Sequence, residues 1–282
     1  MFSYRHAFHA GNHADVLKHI ILIHLLRYLS QKDKPLWYID THAGAALYRL
    51  DEGYAIKNKE YENGISRLWT DTNIANALLI DYLDQVRIHN SNNRLYCYPG
   101  SSQIATQILR EQDRLRVFEL HSTEGKQLEQ YFYSASPRVI AQASDGFNSL
   151  RSLLPPTSKR GLVLIDPSYE DKRDYQRVLT ALQEGLKRFK TGVYVIWYPQ
   201  LQNRESYRFP SKLKQLPNSS WLHVTLTVKS PEASGFGLYG SGIFILNPSW
   251  KLPEALGLIM PYLVKILKQD NNADFTLEWN LK

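Results

Sequence analysis

Leu162-Val163-Leu164-Ile165-Asp166-Pro167-Ser168-Tyr169 decides how the rest of this 282-residue chain reads. Four apolar residues without polar alternation are the mark of a strand covered on both faces by helices. An acid, a proline and an aromatic follow at the point where such a strand must end. Working outward, comparable runs occur at residues 36–40, 116–120, 139–143, 193–198, 222–228 and 243–247. Helical patterns separate them, at residues 101–112, 122–133, 146–154, 174–189 and about 254–269. This alternation predicts an α/β fold: a seven-stranded, mostly parallel sheet wound in right-handed units.

A helix precedes the first strand. Asn12 is placed to cap it, with Asp15 three residues later. Val16, Leu17, Ile20, Ile21, Ile23, Leu25, Leu26 and Leu29 then make it apolar almost all round, which predicts a buried helix. One spacing is too long. The strands at 36–40 and 116–120 need one crossover helix, and residues 101–112 supply it. Residues 47–95 are then surplus, with helical patterns at 60–69 and 74–89 separated by Asp71-Thr72-Asn73. A structureless loop of that length is uncommon. The expectation is one α/β domain built from residues 1–46 and 96–282, interrupted by a helical insertion subdomain at 47–95.

Composition narrows the function. Lys and Arg number 34 against 27 Asp and Glu, a net charge of +7. The basic residues are spread along the chain, which suits a polyanionic partner such as RNA or DNA. The single cysteine, Cys97, excludes an internal disulfide framework and a cysteine-rich zinc site. The longest apolar run, Ile20-Ile21-Leu22-Ile23, stops at His24, far short of a membrane span. Met1-Phe2-Ser3-Tyr4-Arg5-His6 lacks the apolar centre of a signal peptide. A soluble, cytoplasmic protein is expected.

In open α/β sheets, ligands bind outside the carboxyl ends of the strands. Four strand ends here carry polar chemistry. The first runs from Asp40 into Thr41-His42-Ala43-Gly44-Ala45, the second ends at Glu119, the third at Asp145-Gly146-Phe147 and the fourth at Asp166-Pro167-Ser168-Tyr169. An acid after the second strand suits a ribose diol, and Gly44 permits close backbone approach. The first turn lacks G-x-G-x-x-G, which disfavours a dinucleotide. Asp145 suits an adenine amine as donor. A nucleoside without a pyrophosphate fits these positions, and S-adenosylmethionine is one. Any one of these acids could equally be a helix cap or a strand terminator; their occurrence at successive strand ends carries the weight.

Asp166-Pro167-Ser168-Tyr169 explains itself chemically if the acceptor is the exocyclic N6 of adenine. That lone pair is delocalised into the ring. A carboxylate at Asp166 and the carbonyl of Pro167 can each accept one N6–H and draw the nitrogen toward a pyramidal geometry. Tyr169 offers a face for a flipped base. Asp166 is far too weak a base to deprotonate the neutral amine, but it can take the proton once the nitrogen becomes cationic. The N-terminal segment is also crowded: five of nine histidines precede residue 25. A metal site at His9 and His13 is disfavoured, because Gly11 and Asn12 lie between them ahead of the helix. A pocket lining fits better, with Tyr4 stacking on a base, Lys18 meeting a phosphate or carboxylate, and His19 bonding the methionine moiety.

The run Tyr4-Arg5-His6-Ala7-Phe8-His9-Ala10-Gly11-Asn12-His13-Ala14-Asp15-Val16-Leu17-Lys18-His19 resembles the N-terminal signature of the RlmJ family. Asp40-Thr41-His42-Ala43-Gly44-Ala45, Tyr98-Pro99-Gly100-Ser101, Glu119-Leu120-His121, Asp145-Gly146-Phe147 and Trp197-Tyr198-Pro199 resemble other parts of it. The resemblance implies a Rossmann-like class I methyltransferase whose last strand is antiparallel, using S-adenosylmethionine to methylate adenine N6 in 23S ribosomal RNA. It implies cofactor contacts at His19, His42, Ser101, Glu119, Asp145, Gly146 and Asp166, and a catalytic role at Asp166 with Pro167 and Tyr169. Tyr4, His6, Lys18 and Tyr169 fall near the substrate. A monomer without metal is expected. Two positions depart from the family pattern: Ser168 stands where a second proline is usual, and Ala46 where glycine is common. The first is expected to loosen the turn, the second to place a methyl near the cofactor. Methylation of DNA adenine, or a role in using external DNA, remain alternatives from the residues alone, as does a non-catalytic nucleic-acid-binding relic.

Overall fold

The computed structural model describes residues 5–217, 220–235 and 237–281. After a short 3-10 turn at His6–Phe8, Asn12 caps helix α1 (His13–Ser30) by accepting from the backbone N–H groups of Ala14 and Asp15. Strand β1 (Trp37–Asp40) follows. The chain then makes β2 (Leu47–Arg49), α2 (Ala55–Asn58), α3 (Ile65–Trp69), α4 (Ala77–Arg87) and β3 (Cys97–Pro99). Helix α5 (Ser101–Ile108) leads into β4 (Arg114–Phe118), α6 (Ser122–Phe132), β5 (Val139–Gln142), α7 (Gly146–Leu153), β6 (Gly161–Ile165) and α8 (Arg173–Arg188). The final part is β7 (Val193–Gln200), α9 (Arg204–Lys214), β8 (Trp221–Thr227), β9 (Gly240–Leu246), α10 (Leu252–Leu267) and β10 (Asp274–Asn280).

The central sheet has the order β10-β8-β9-β7-β6-β1-β4-β5. Strands β5, β4, β1, β6 and β7 are parallel neighbours, whereas β9 is antiparallel to both β7 and β8. The α/β expectation holds, but the sheet has eight strands, not seven. The eighth, β10, is an antiparallel edge partner of β8 in the sequence Asp-Phe-Thr-Leu-Glu-Trp-Asn. Its alternating, largely exposed residues lack the apolar run by which the buried strands are recognised. Helix α9 likewise carries little sequence signal, since it is polar on one face and has Pro210 in its interior.

Both faces of the sheet are covered. On one, α1, α4 and α10 pack with residues such as Leu17, Ile21, Leu83, Leu256 and Leu263. On the other, α7, α8 and α9 contribute Phe147, Leu182 and Phe209 against Ile165 and Ile196. From β1 the chain winds outward through β4 and β5, then returns to place β6 on the other side of β1. The order therefore reverses between β1 and β6, which opens a crevice at their carboxyl ends. Residues 47–95 fold back beside α1: β2 pairs with β3, and Arg27 of α1 meets Asp81 of α4 at 2.8 Å. The backbone approach there is close, since the Ile65 N–H donates to Gly11 O at 2.8 Å and a side chain at Gly64 would meet that same oxygen at 2.0 Å. No helix among the described residues is long and apolar enough to cross a membrane.

Candidate active site

The carboxyl ends of β1, β4 and β6 surround an open cavity of about 770 Å³, counting the solvent at its mouth. Its walls include His6, Lys18, His19, His42, Gly44, Ser101, Glu119, Asp166, Pro167 and Ser168. Two carboxylates flank the reversal point. Asp40 at the end of β1 is fully buried and filled: Oδ2 accepts from Tyr38 Oη at 2.7 Å and Ser101 Oγ at 2.6 Å, and Oδ1 accepts from the His42 N–H at 3.2 Å. It locks the first turn and the start of α5. Asp166, just past β6, is held on one oxygen only. Lys18 Nζ donates to Oδ2 at 2.6 Å, and Oδ1 accepts no hydrogen bond among the described residues.

Lys18 reaches Asp166 because α1 runs past the carboxyl end of the sheet. The same ammonium meets Asp15 Oδ1 at 2.8 Å. Asp15 in turn accepts from the Gly11 N–H at 2.9 Å and bonds His6 Nε2 at 2.9 Å. Burial works against every charge in this chain of groups, and the outcome differs by partner. Asp15 is held well below the ordinary carboxylate range, because His6, Lys18 and His19 outweigh its burial. Lys18 is pushed above its ordinary value by Asp15 and Asp166. For Asp166 burial wins, raising it to about 6 although Lys18 opposes the rise.

The other side of the cavity is built from β1, β4 and the turns after them. Glu119 accepts on Oε2 from the Gly44 N–H at 2.9 Å and on Oε1 from the His121 N–H at 2.7 Å. Burial lifts it to about 7. Gly44 sits at φ 60°, and a side chain there would strike the Tyr48 hydroxyl at 1.9 Å. His42 bonds Thr41 Oγ1 at 2.8 Å and packs edge-on to Phe147. His19 Nδ1 pairs with Tyr98 Oη at 2.8 Å, while its buried Nε2, 3.9 Å from Asp15 Oδ1, has no hydrogen-bond partner among the described residues. Burial lowers both histidines to about 3, so both rings are neutral.

Three expected site residues lie behind the cavity wall. Asp145 caps α7, accepting from the Phe147 and Asn148 N–H groups on Oδ1, and pairs through Oδ2 with Arg177 at 2.7 Å. Gly146 lies against the Thr41 backbone, where a side chain would come within 2.1 Å. Tyr169 is buried, with its hydroxyl donating to Trp197 O at 2.8 Å and its ring among Tyr175, Trp197 and Phe209. Its φ of 55° is strained for a bulky residue, and that packing holds it there. Ala46 corrects another expectation. Its methyl is wholly buried and faces the core, not the cavity, and its φ of 70° gives the physical reason glycine suits the position. Tyr4 lies outside the described residues. Nothing local in the chain marks Arg177 and Glu124 as reaching the cavity; Asp15 does carry a signal, its position one helical turn before Lys18.

The arrangement offers a polar pocket with neutral histidines beside a carboxylate with an open oxygen. Its residues fit S-adenosylmethionine: Glu119 retains lone pairs for ribose hydroxyls, and His19 Nε2 awaits a polar partner. No group of three or more potential metal ligands occurs among the described residues. The family described as ribosomal RNA large subunit methyltransferase D, RlmJ, matches residues 33–281. The chain is 41% identical over 279 residues to ribosomal RNA large subunit methyltransferase J of Escherichia coli, with 99% of each covered. It is 40% identical over 280 residues to the protein of the same name from Haemophilus influenzae, again with 99% of each covered. A crystal structure of a Legionella pneumophila protein superimposes with a TM-score of 0.87 at 35% identity, covering 97% of this chain and 99% of that one.

Proposed function

This chain belongs to the RlmJ family of ribosomal RNA large subunit methyltransferases, and from that premise we propose that it methylates the exocyclic N6 of an adenine in 23S ribosomal RNA. The observation that carries the chemistry is Asp166: a partly buried carboxylate on the cavity wall, fixed through Oδ2 by Lys18, with Oδ1 left to accept a hydrogen bond. Bound S-adenosylmethionine supplies an electrophilic methyl carbon. Glu119, His19, His42 and Ser101 line the part of the cavity that would hold it. Asp145 and Gly146 contribute from behind, by fixing the turn against which that part is built.

Asp166 Oδ1 and the Pro167 carbonyl accept the two N6–H bonds, which turns the nitrogen lone pair outward. Lys18 keeps the carboxylate ionised against its burial and fixes its rotation. As the nitrogen becomes cationic, Asp166 takes the proton. Tyr169 supports the loop from below, and stacking on a base would require its ring to leave the aromatic cluster. We read the protein as a cytoplasmic monomer that needs no metal, with residues 47–95 as a helical insertion that steadies α1.

Purified protein, labelled S-adenosylmethionine and protein-free 23S rRNA should yield N6-methyladenosine after digestion to nucleosides. Duplex DNA should remain unlabelled. Label in DNA alone, or in a nucleoside other than N6-methyladenosine, would overturn the assignment. Both relatives are named as ribosomal RNA methyltransferases, which favours RNA over the DNA alternatives.

A further inference from the structure

We propose that the exposed face of α9 is part of the RNA-binding surface: Tyr207 stacks on an unpaired base near the target, and Arg204 and Arg208 hold the flanking phosphates. This rests on an RNA substrate, as proposed above.

Helical geometry sets the face. At 100° per residue, Arg204, Tyr207, Arg208, Ser211 and Gln215 fall on one stripe, and all five are exposed. The opposite stripe, Ser206, Phe209 and Leu213, is buried. Glu205, the acid of this helix, lies off the stripe. Neither arginine forms an ion pair with any described residue, so their charge is open to a polyanion.

The helix is rigidly mounted beside the active site. Asn203 caps it by accepting from the Ser206 N–H at 2.7 Å. Ser206 Oγ donates to Pro199 O at 2.6 Å, tying the first turn to the end of β7. Phe209 packs on Tyr169, Tyr175 and Tyr198, with ring centroids 6.0, 5.1 and 5.6 Å away. Tyr169 is three residues from Asp166, so one layer of aromatic rings separates the stripe from the reaction loop.

Position singles out Tyr207 from other exposed aromatics. It is 85% exposed, in the first turns of a helix that starts at the carboxyl edge of the sheet. Tyr133, Trp250 and Trp279 are also exposed. Tyr133 follows α6, Trp250 follows the antiparallel β9, and Trp279 ends the antiparallel β10, which puts all three at the amino edge, away from the cavity. An aromatic flanked by unpaired arginines is the surface that grips single-stranded nucleic acid, by base stacking and phosphate contact.

The test measures binding of protein-free 23S rRNA without cofactor, then methyl transfer. Tyr207→Ala should weaken RNA binding by about 5- to 100-fold, and Tyr207→Phe should restore it. Arg204→Gln/Arg208→Gln should raise the KM for RNA and flatten the log Kd against log salt slope by roughly 1.4. S-adenosylmethionine affinity and the rate at saturating RNA should not change. Wild-type RNA affinity and salt slope in both variants would overturn the proposal. Wild type that binds RNA without methylating it would instead overturn the functional assignment, and the variants would still judge this surface.

Discussion

The ends of β1 and β6 lie side by side, and each carries an aspartate, Asp40 fully buried and Asp166 partly open to the cavity, yet the two do opposite work. Asp40 is saturated by two hydroxyls and a backbone N–H. Among the described residues Asp166 has one donor, Lys18, and an open oxygen on the cavity. Burial raises both carboxyls, so a perturbed pKa does not separate them. Unfilled acceptor capacity does. A saturated carboxylate holds a turn in place, whereas an unsaturated one can accept from a substrate.

Replacing each residue separates the roles most strongly. Asp166→Ala should lower methyl transfer by about 10²- to 10⁴-fold, with little change in the unfolding midpoint. Asp40→Ala strands buried donors and should cost about 2–4 kcal/mol of stability in a urea titration. If Asp40→Ala folds normally while losing turnover alone, the distinction breaks.

The pH dependence sharpens it further. Asp166 is protonated below about pH 6, so the rate at saturating substrates should fall as pH drops through that value. Lys18→Met removes the opposing cation and should move that limb to higher pH. Glu119 is lifted to about 7, so S-adenosylmethionine affinity should weaken at a separate, higher pH as its carboxylate is protonated. Calorimetry across pH 5–8 reads the second limb independently of the first. A single shared limb would show that one group controls both steps.

The smallest effect concerns the turn after β1. Ala46→Gly relieves a left-handed backbone but removes a buried methyl. The two oppose each other at about 1–2 and about 0.8 kcal/mol. A stabilisation of up to about 1 kcal/mol with unchanged activity is expected from thermal unfolding. A loss of stability would show that the methyl outweighs the strain.

Most of this framework was legible in the sequence, because strand ends in an α/β sheet converge whatever their spacing along the chain. Asp166, Glu119 and the Asp40–Gly44 turn could be placed for that reason. The commitments of individual atoms could not. Lys18 and Asp166 are 148 residues apart, and only the packing of α1 shows that they touch. Asp145 looked as open as Glu119, but Arg177 and the α7 backbone occupy it. Tyr169, expected to offer a face to a flipped base, has aromatic neighbours in space that its polar neighbours in sequence do not announce. Edge strand β10 and helix α9 carry too little apolar signal to be seen before the fold.

The most direct measurement is the single-turnover rate of Asp166→Asn on 23S rRNA, with S-adenosylmethionine affinity taken by calorimetry on the same sample. Asparagine keeps the shape and one acceptor but cannot take the proton. The expected result is affinity within about threefold of wild type and a rate at least about 10²-fold lower. A rate close to wild type with intact cofactor binding would contradict the role of the open carboxylate.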